Sequence, residues 1–431
     1  MLRLAKLPLG GHAYYLEVAA GTGSGIEAAG TWAGTGPGVL GLEGAVETDH
    51  LAAVLGGRDP ATGAVLGGAR ARVTVAGFDL TFAAPKSVSL LHALGDDTVR
   101  AAVGAGHQAA VEAALGYVER HALAVRRGSG EARRVEAAEG TATAAFVHRV
   151  SRAEDPHLHT HVVTANLARG PDGRWSALDG RGLYAHVGAA GALYHAQLRH
   201  ELRTRLGVGW GPLDRGRADL EGIGPQARRA FSTRAAQIGD ELARYGSDPR
   251  RPPTARARHV AWAATRAARD PQRPVEAMAS SWRERARDAG IGPRVLASVV
   301  DRFPRQAAEL PAPEDLSRAV AAQLAGRPSV TRRDVVRASC GLLPAGADAP
   351  VLEAAVDGVM GVFVRALDRD APPPGSACLD GPGVAERRLP ALDGRGAQLE
   401  VLLARRGHRI GADRRLGYGR DAGADGGLGL G

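Results

Sequence analysis

Three histidines in the middle of the chain have the spacing expected of a metal site. His148 lies in one alternating stretch, and His159 and His161 lie in the next. The residues Phe146 to Val150 and Leu158 to Val162 alternate apolar with polar side chains, which is typical of half-buried strands. The pattern predicts two neighbouring strands that together carry all three imidazoles.

The segment between these strands determines which histidines face each other. Asp155 can bond its own backbone and Pro156 fixes φ, so the segment has the chemistry of a turn. A hairpin folded symmetrically about it places His148 opposite His159, and side-chain alternation turns His161 to the same face. Three imidazoles on one face leave open coordination positions for a substrate or water, as a catalytic metal site requires. We therefore predict a metal site.

The residue types also limit which side chains bind the metal and which metal ions suit them. A single histidine on a strand is usually a packing or surface residue, but three that converge favour metal binding. His157 has the same parity as His159, yet it lies beside the turn, so we leave it out of the ligand set. Imidazole ligands suit Mn, Co, Ni or Zn better than Mg, so a divalent ion is predicted.

A carboxylate inside an apolar strand is the next residue of interest. The residues Arg72 to Phe82 predict a strand, and Asp79 lies among its apolar side chains. A buried carboxylate is costly unless it is paired or hydrogen-bonded. Asp79 is then a structural anchor, an acceptor for a metal-bound imidazole, or a group that helps to take a proton from a nucleophile. We favour the functional roles.

Two adjacent tyrosines and several helices complete the pattern. Tyr14 and Tyr15 lie in a short predicted helix that ends at Gly21, and in isolation they would be packing residues. Their role depends on which residues lie near them in space. Further helices are predicted over Asp49 to Leu55, Ser87 to Leu94, Asp97 to Ala124, Tyr184 to Leu206, Pro225 to Tyr245, Pro253 to Ala289 and Pro311 to Leu367. The arginines of the 225–289 helices lie on either a solvated face or a phosphate-binding surface.

Composition limits the class of protein. The 431 residues carry a net charge of +9, which favours an anionic partner such as nucleic acid, although 53 of the 55 cations are arginine. No apolar run is long enough to span a bilayer and no signal peptide is present, so we expect a cytoplasmic protein without membrane insertion. The two cysteines, Cys340 and Cys378, do not suggest a disulfide framework, and no phosphate-binding loop of an ATPase occurs.

Three regions are predicted from the pattern of helices, strands and turns. Residues 1–290 contain the histidine hairpin, residues 291–367 form a helical unit that resembles a connector, and residues 368–431 are rich in Pro and Gly. A composition of this last kind cannot bury enough apolar surface to become ordered. We expect residues 368–431 to be a disordered tail.

The order of these motifs resembles one family. A tyrosine pair near the N-terminus, the segment Phe78 to Ser89, and His148 followed by the segment Asp155 to His161 are similar to the motifs of MobF-type conjugative relaxases, the TrwC/TraI-like members of the HUH endonuclease superfamily. Further matches are Gly173 to Trp175, the helix that starts at Tyr194, and the segment Phe231 to Ile238. The resemblance covers roughly residues 1 to 290.

The resemblance implies a fold, an activity and site residues. It implies an α+β fold, a palm-like antiparallel β-sheet with packed helices, and site- and strand-specific nicking of single-stranded DNA at a transfer origin. The implied roles are nucleophile for Tyr14, metal ligands for the three histidines and supporting carboxylate for Asp79. Tyr15 is a possible secondary nucleophile, and Lys86 and Arg152 are candidate DNA contacts. Mg or Mn is the implied metal, and relaxosome accessory proteins and a type IV coupling protein are the implied partners.

The chain departs from the family in two respects. Many relatives carry a second tyrosine pair, but no tyrosine occurs between Tyr15 and Tyr117. Relatives also commonly continue into a helicase. Two alternatives therefore stay open beside the relaxase: a non-catalytic or truncated DNA-binding remnant of a relaxase-helicase, and a metallo-nuclease that activates water without a tyrosine. The relaxase hypothesis requires a base or cation near the tyrosine, because a free phenol has a pKa of about 10 and is a poor nucleophile at neutral pH.

Overall fold

A computed structural model describes most of the chain up to residue 368. The described residues are 2–20, 29–67, 74–128, 134–245, 253–265, 275–325, 327, 329–368 and 389–390. The strands are β1 (Leu2–Pro8), β2 (Thr31–Trp32), β3 (Val75–Ala83), β4 (Ala124–Arg127), β5 (Arg134–Ala137), β6 (Gly140–Val150), β7 (Pro156–Arg169), β8 (Trp175–Ser176), β9 (Ser329–Val330) and β10 (Leu389–Pro390). The α-helices are α1 (Ala13–Ala19), α2 (Thr48–Leu55), α3 (Lys86–Leu94), α4 (Asp97–His121), α5 (Gly180–Leu206), α6 (Pro225–Ala230), α7 (Thr233–Arg244), α8 (Ala255–Ala264), α9 (Val275–Asp288), α10 (Pro293–Val299), α11 (Pro313–Leu324), α12 (Arg332–Gly341) and α13 (Ala349–Asp368).

One antiparallel sheet organises the molecule. Its strands follow the order β1-β3-β7-β6-β2, and β8 pairs with β7 outside that path. The ladders β1–β3, β3–β7 and β6–β7 are all antiparallel. With helices packed against it, this sheet confirms the predicted α+β class. In the described ranges, no helix combines the length and apolar character that a membrane crossing needs.

The β6–β7 hairpin has the predicted register. His148 pairs with His159, and His161 pairs with Phe146 on one side and with Thr81 of β3 on the other. Because side chains alternate along a strand, the three histidines lie on the same face of the sheet as Asp79 and Thr81. A register shift between His148 and Val150 accommodates the turn without changing this face.

Helices α4 and α5 cover the opposite face. Helix α5 begins after Asp179, whose side chain accepts a hydrogen bond from the Arg181 N–H, and ends at Gly207, whose left-handed φ of 62° closes the last turn. Its Leu193, Leu198 and Leu202 are buried against the sheet and α4. Each such leucine contributes about 1.5–3 kcal/mol relative to an exposed position. This layer makes the sheet a rigid support for the histidine face.

A buried histidine links the helical layer to the back of the hairpin. His107 of α4 is 1 % exposed; its Nε2 lies 2.8 Å from Thr160 Oγ1 of β7, and its Nδ1 lies 2.8 Å from Tyr194 Oη of α5. Thr160 lies between His159 and His161, so its side chain points away from the histidine face. The two helices are therefore tied by polar contacts to the strand that carries two of the candidate ligands.

Helices α12 and α13 pack onto α5, and α11 packs onto α12 and α13. Their buried side chains belong to the same hydrophobic cluster as those of α4 and α5, and they include Leu316, Val320, Val336, Leu352 and Val356. The predicted unit at 291–367 is thus in direct contact with the helical layer. The predicted tail at 368–431 lies outside the described residues, except for Asp368 and the two residues of β10.

Several predicted boundaries differ from the structure. The helix predicted over Asp97 to Ala124 ends at His121, because Ala124 and the buried Val125 enter β4. The helix predicted over Pro225 to Tyr245 is two helices, since Phe231 turns inward and is fully buried between them. The long stretches predicted over 253–289 and 311–367 are likewise divided into shorter helices.

The turn chemistry suggested that the Asp155 side chain bonds its own backbone, but the structure shows other partners for it. It accepts hydrogen bonds from the Thr233 N–H at the start of α7, at 2.7 Å, and from Arg285 of α9, at 2.8 Å. Asp155 is 1 % exposed. A carboxylate at a helix N-terminus is stabilised by the unpaired N–H groups there. The hairpin turn is therefore anchored to two helices through one buried carboxylate.

Replacing Asp155 with asparagine tests this anchor. The amide keeps the shape but loses the charge, so the ion pair with Arg285 and the hydrogen bond from Thr233 weaken. We expect the free energy of unfolding, measured by urea denaturation, to fall by about 2 kcal/mol. Glu139→Gln is the control, because it alters a solvent-exposed pair with Arg169 and should change stability by less than about 0.5 kcal/mol. Equal effects of the two substitutions would contradict the anchor.

Burial of His107 predicts a loss of stability in acid. Burial lowers the pKa of His107 to about 3, whereas histidine in an unfolded chain titrates near 6.5. Below about pH 6.5 only the unfolded chain takes up the proton, so stability is lost as the pH falls towards 3. One such group lowers the free energy of unfolding by about 2 kcal/mol between pH 7 and pH 5. Urea denaturation at both pH values should show that the free energy of unfolding falls less between pH 7 and pH 5 in His107→Gln than in the wild type. An equal fall in the two proteins would exclude His107 as a source of the acid sensitivity.

Candidate active site

Three buried imidazoles form the centre of the site. The exposed fractions of His148, His159 and His161 are 1 %, 7 % and 4 %. One ligand nitrogen of each lies within 4.8 Å of those of the other two. In the described part of the chain, this is the one group of three or more metal-ligating side chains with such spacing. The strands thus bring together the histidines that the hairpin pattern predicted.

Hydrogen bonds orient two of these rings. His161 Nδ1 donates to Asp79 Oδ2 at 2.9 Å, and His159 Nδ1 donates to the carbonyl oxygen of His157 at 2.8 Å. An imidazole that donates through Nδ1 keeps its lone pair on Nε2. His161 Nε2 is buried and has no hydrogen-bond partner among the described residues. Such a buried nitrogen, turned towards two other imidazoles, fits a metal ligand whose tautomer is set by its second hydrogen bond.

The electrostatic environment keeps His159 in its metal-binding form. Burial lowers the pKa of His159 well below its ordinary value, and the neighbouring His157, His148 and His161 lower it further. Burial likewise lowers the pKa of His157 to about 3. These imidazoles are neutral at neutral pH, and only the neutral ring has a free lone pair for a metal.

The two tyrosines of α1 have different surroundings. Tyr15 is fully buried; its hydroxyl donates to Asp79 Oδ2 at 2.9 Å, and its ring packs 5.3 Å from that of Phe146. Tyr14 is half-buried, and its ring centroid lies 6.1 Å from that of His148. Consecutive residues point about 100° apart on a helix, so one ring enters the core and the other borders the histidines.

Asp79 connects the tyrosine pair to the histidine cluster. Its carboxylate accepts from the Tyr15 hydroxyl and from His161 Nδ1, and Thr81 Oγ1 lies 3.3 Å from Oδ1. Asp79 is 1 % exposed, so these hydrogen bonds satisfy a carboxylate that water does not reach freely. Thr81 was not among the predicted site residues. Its position two residues after Asp79 on the same strand was the signal that could have identified it.

An open cleft of about 1240 Å³ lies over this face of the sheet. Its lining includes Asp79 and the three histidines, together with the predicted DNA contacts Lys86 and Arg152. Lys86 Nζ donates to the Pro156 carbonyl oxygen at 2.8 Å, and burial lowers the Lys86 pKa to about 8. The cleft gives a long ligand access to the cluster.

Arginines from distant parts of the chain form the cleft wall. Arg217, Arg228, Arg229 and Arg234 line it, and so does Arg3 of β1, whose guanidinium lies 5.6 Å from the Trp262 ring centroid. Sequence patterns left open whether the arginines of residues 225–289 were a solvated face or a phosphate-binding surface. The positions of Arg228, Arg229 and Arg234 favour the second, because a cleft lined by cations attracts a polyanion.

Comparison with known proteins identifies the family. The TrwC relaxase family model matches residues 6–289. The multifunctional conjugation protein TraI of Escherichia coli is 31% identical over 338 residues, which is 73% of this chain and 18% of TraI. TraI of Escherichia coli strain K12 is 37% identical over 188 residues, 40% of this chain and 10% of that protein. The chain spans less than a fifth of the length of these relatives.

Solved structures agree with this assignment. The metal-bound structure of the conjugative relaxase TrwC in complex with oriT DNA superimposes with a TM-score of 0.62 at 29% identity, covering 68% of this chain and 99% of that one. A copper-bound TrwC–oriT complex matches with a TM-score of 0.60 at 30% identity and the same coverage. The fold and the matched sequence agree over the region that carries the histidine hairpin, and the chain therefore belongs to the TrwC relaxase family.

Proposed function

We propose that this protein is a conjugative relaxase, a metal-dependent, site- and strand-specific endonuclease and transesterase that acts on single-stranded DNA at a transfer origin. One observation carries the proposal: Tyr14 lies beside His148, and His148 belongs to a cluster of three buried imidazoles in a cleft that arginines also line. Family membership and the oriT DNA in the TrwC complexes support the same substrate. The reaction takes place in the cytoplasm, with relaxosome accessory proteins and a type IV coupling protein as partners.

Tyr14 is the proposed nucleophile. Its hydroxyl loses a proton as its oxygen attacks the scissile phosphorus, the bond from phosphorus to the 3′-oxygen breaks, and the leaving oxygen takes up a proton to become a 3′-hydroxyl. The product is a 5′-phosphotyrosine, which conserves the bond energy and lets the strand be rejoined. Tyr15, the possible secondary nucleophile, is fully buried and bonded to Asp79, so it is less suited to reach a phosphodiester. Its proposed role is to hold Asp79 in place.

The metal is proposed to bind through His148, His159 and His161. A bound divalent ion would withdraw charge from the non-bridging phosphate oxygens and favour in-line attack. Asp79 orients His161 for this role, and the His157 carbonyl oxygen orients His159. We propose Mg or Mn as the ion in use, with Zn, Co or Ni as alternatives that imidazole ligands also favour. The metal-bound and copper-bound TrwC complexes support a divalent metal cofactor.

The DNA is proposed to lie along the cleft. Lys86 and Arg152 are at its lining close to the hairpin turn, and the arginines of α6 and α7 continue the positive surface away from the histidines. Cations spaced along a groove neutralise successive phosphates without reading the sequence, so they position the strand. Binding through several phosphates also predicts weaker affinity at higher salt concentration.

Substitution of the two tyrosines separates their roles. Tyr14→Phe should abolish the covalent protein–DNA band on an SDS gel with labelled single-stranded transfer-origin DNA and Mn²⁺. Tyr15→Phe should retain the band and form it about tenfold more slowly, since it loses a buried hydrogen bond to Asp79. A covalent band that survives in Tyr14→Phe would exclude Tyr14 as the nucleophile.

The same assay distinguishes the alternative functions. Cleaved DNA without a covalent band in the wild-type chain would favour a water-activating metallo-nuclease. Tight binding of the cognate origin without cleavage would indicate a non-catalytic or truncated remnant. A band that appears with Mn²⁺ and is lost with EDTA is the result that the relaxase proposal requires.

Metal affinity should fall in acid. Protons compete with the metal for the imidazole lone pairs, and an ordinary histidine titrates near 6.5, so affinity should decrease as the pH falls below about 6.5. The lowered pKa of His159 keeps that ligand neutral further into the acid range, which makes the loss shallower than for three ordinary histidines. Titration calorimetry with Mn²⁺ at pH 7.5, 6.5 and 5.5 measures this.

Two histidine variants control the metal titration. His148→Asn should remove measurable Mn²⁺ binding, because it deletes a member of the cluster. His157→Asn should change the affinity by less than about threefold, since His157 serves the site through its backbone carbonyl. Loss of binding in His157→Asn, or affinity that is independent of pH, would argue against the proposed ligand set.

A further inference from the structure

A tight hairpin forms part of the cleft wall. Residues 210–220, which we call the cleft hairpin, are held by the bridges Trp210↔Leu220 and Asp214↔Arg217. Arg215 and Gly216 make the turn at its tip with positive φ values of 50° and 78°. Among the residues of this hairpin, Asp214, Arg217 and Asp219 line the cleft. Its position therefore decides where at least one cation of the wall lies.

One buried guanidinium holds the tip of the cleft hairpin. Arg199 of α5 is 1 % exposed, and its Nη1 donates to the Gly216 carbonyl oxygen at 2.9 Å. Its backbone carbonyl accepts a hydrogen bond from Trp210 Nε1 at 3.2 Å. Arg199 thus contacts the hairpin at its tip and at its base.

The other amino group of Arg199 binds the C-terminal helices. Its Nη2 donates to the carbonyl oxygens of Cys340 and Leu343, both at 3.1 Å. Cys340 is in the last turn of α12, where unpaired carbonyls and the helix dipole favour a cation. These residues follow residue 289, where the match to the TrwC relaxase family model ends. One side chain therefore joins the cleft to a part of the chain that the family model does not cover.

The buried charge of Arg199 constrains the cleft hairpin and the end of α12 together. Burial lowers the pKa of Arg199 to about 10, so the side chain remains protonated at neutral pH. In the part of the chain that the structure describes, no carboxylate pairs with it. Its Nε is buried without a hydrogen-bond partner among the described residues, so the charge depends on the three carbonyl oxygens that Nη1 and Nη2 reach. Movement of either the hairpin tip or the end of α12 would remove acceptors from a buried charge, so the two are constrained together.

The C-terminal helices are docked tightly at the same place on α5. Gly346 has a φ of 79°, and a Cβ added there would lie 2.2 Å from the Ala196 carbonyl oxygen. Gln197 Oε1 accepts from the Ala349 N–H, and Gln197 Nε2 donates to Asp348 at 3.1 Å. The segment before α13 therefore rests on the turn of α5 that carries Arg199.

The cleft hairpin also continues towards the histidine site. Asp219 Oδ1 accepts from Ser87 Oγ at 2.7 Å, and Asp219 pairs with Arg228 of the cleft wall. Ser87 follows Lys86, whose Nζ binds the carbonyl oxygen of Pro156 at the start of β7. A displacement of the hairpin would therefore act on Arg228 directly and on Lys86 through Ser87.

We propose that Arg199 is a positioning residue through which helices α11 to α13 set the affinity of the cleft for single-stranded DNA. This inference rests on the proposed function for its ligand, but the coupling itself is between two parts of this chain. Arg199 does not line the cleft, so it acts through the cleft hairpin. Under this proposal, helices α11 to α13 are part of the DNA-binding unit.

Arg199→Met in the full chain is the first test. It removes the donors and keeps an apolar stem of similar length. Hydrogen exchange should show lost protection at residues 210–220, and the Kd for an origin oligonucleotide in EDTA should rise about tenfold, as for one lost charge-assisted hydrogen bond. Nicking at saturating DNA should stay within about twofold of wild type, because the metal site is not touched. A purely structural role would instead lower the active fraction and leave the Kd unchanged.

Three further variants complete the test. Arg205→Met on the same helix removes an exposed cation paired with Glu201 and should leave exchange and Kd unchanged. Arg199→Lys keeps the charge but has a single ammonium for three carbonyls, so its loss of hairpin protection should be intermediate. Gly346→Ala should push the segment that carries Leu343 away from α5 and reproduce the rise in Kd without a substitution in α5 itself.

The outcomes separate this inference from the proposed function. Wild-type protection of residues 210–220 and a wild-type Kd in Arg199→Met would overturn the inference. It would also be overturned if Gly346→Ala exposed residues 332–359 to exchange and left the hairpin and the Kd unaltered. Absence of a covalent adduct in the wild-type chain would contradict the proposed function alone, since binding in EDTA and exchange do not require strand cleavage.

Discussion

The hydrogen bonds of the Asp79 carboxylate are the interaction on which the site depends. This one group receives the Tyr15 hydroxyl and His161 Nδ1 at 2.9 Å each. It thereby determines the tautomer of one imidazole and the position of the helix that carries Tyr14. A carboxyl group at 1 % exposure is tolerated because these donors replace its lost hydration. Loss of either donor would disturb both the tyrosine helix and the histidine cluster.

The rest of the fold excludes water from one face of the sheet and leaves the histidine face open to solvent. Behind the sheet, α4 and α5 exclude water and bind the hairpin strand through His107 and Thr160. In front of it, the cleft remains open, and arginines line it together with apolar residues such as Ile223 and Trp262. Buried imidazoles thus face a groove that arginines line, a combination suited to a metal ion and a polyanion together. The same burial that lowers the pKa of His159 prepares it as a ligand.

The helices that follow residue 289 also help to support the sheet. The buried side chains of α11 to α13 share one hydrophobic cluster with α4 and α5, so they stabilise the layer that supports the sheet. Arg199 adds a polar connection from this region to the cleft. The proposed coupling between helices α11 to α13 and the cleft runs through this contact. The physical basis is the cost of leaving a buried guanidinium without acceptors.

The sequence alone determined the histidine hairpin. Period-two alternation and a polar turn are local properties, and together they settled that His148 faces His159 with His161 on the same face. Local patterns also located Asp79 in a strand, and the order of motifs indicated the family. Only the tertiary structure decided that Tyr15, not Tyr14, meets Asp79, and that the Asp155 side chain binds two helices. The reason is that a sequence pattern gives side-chain direction along one element, whereas distances between elements depend on how they pack.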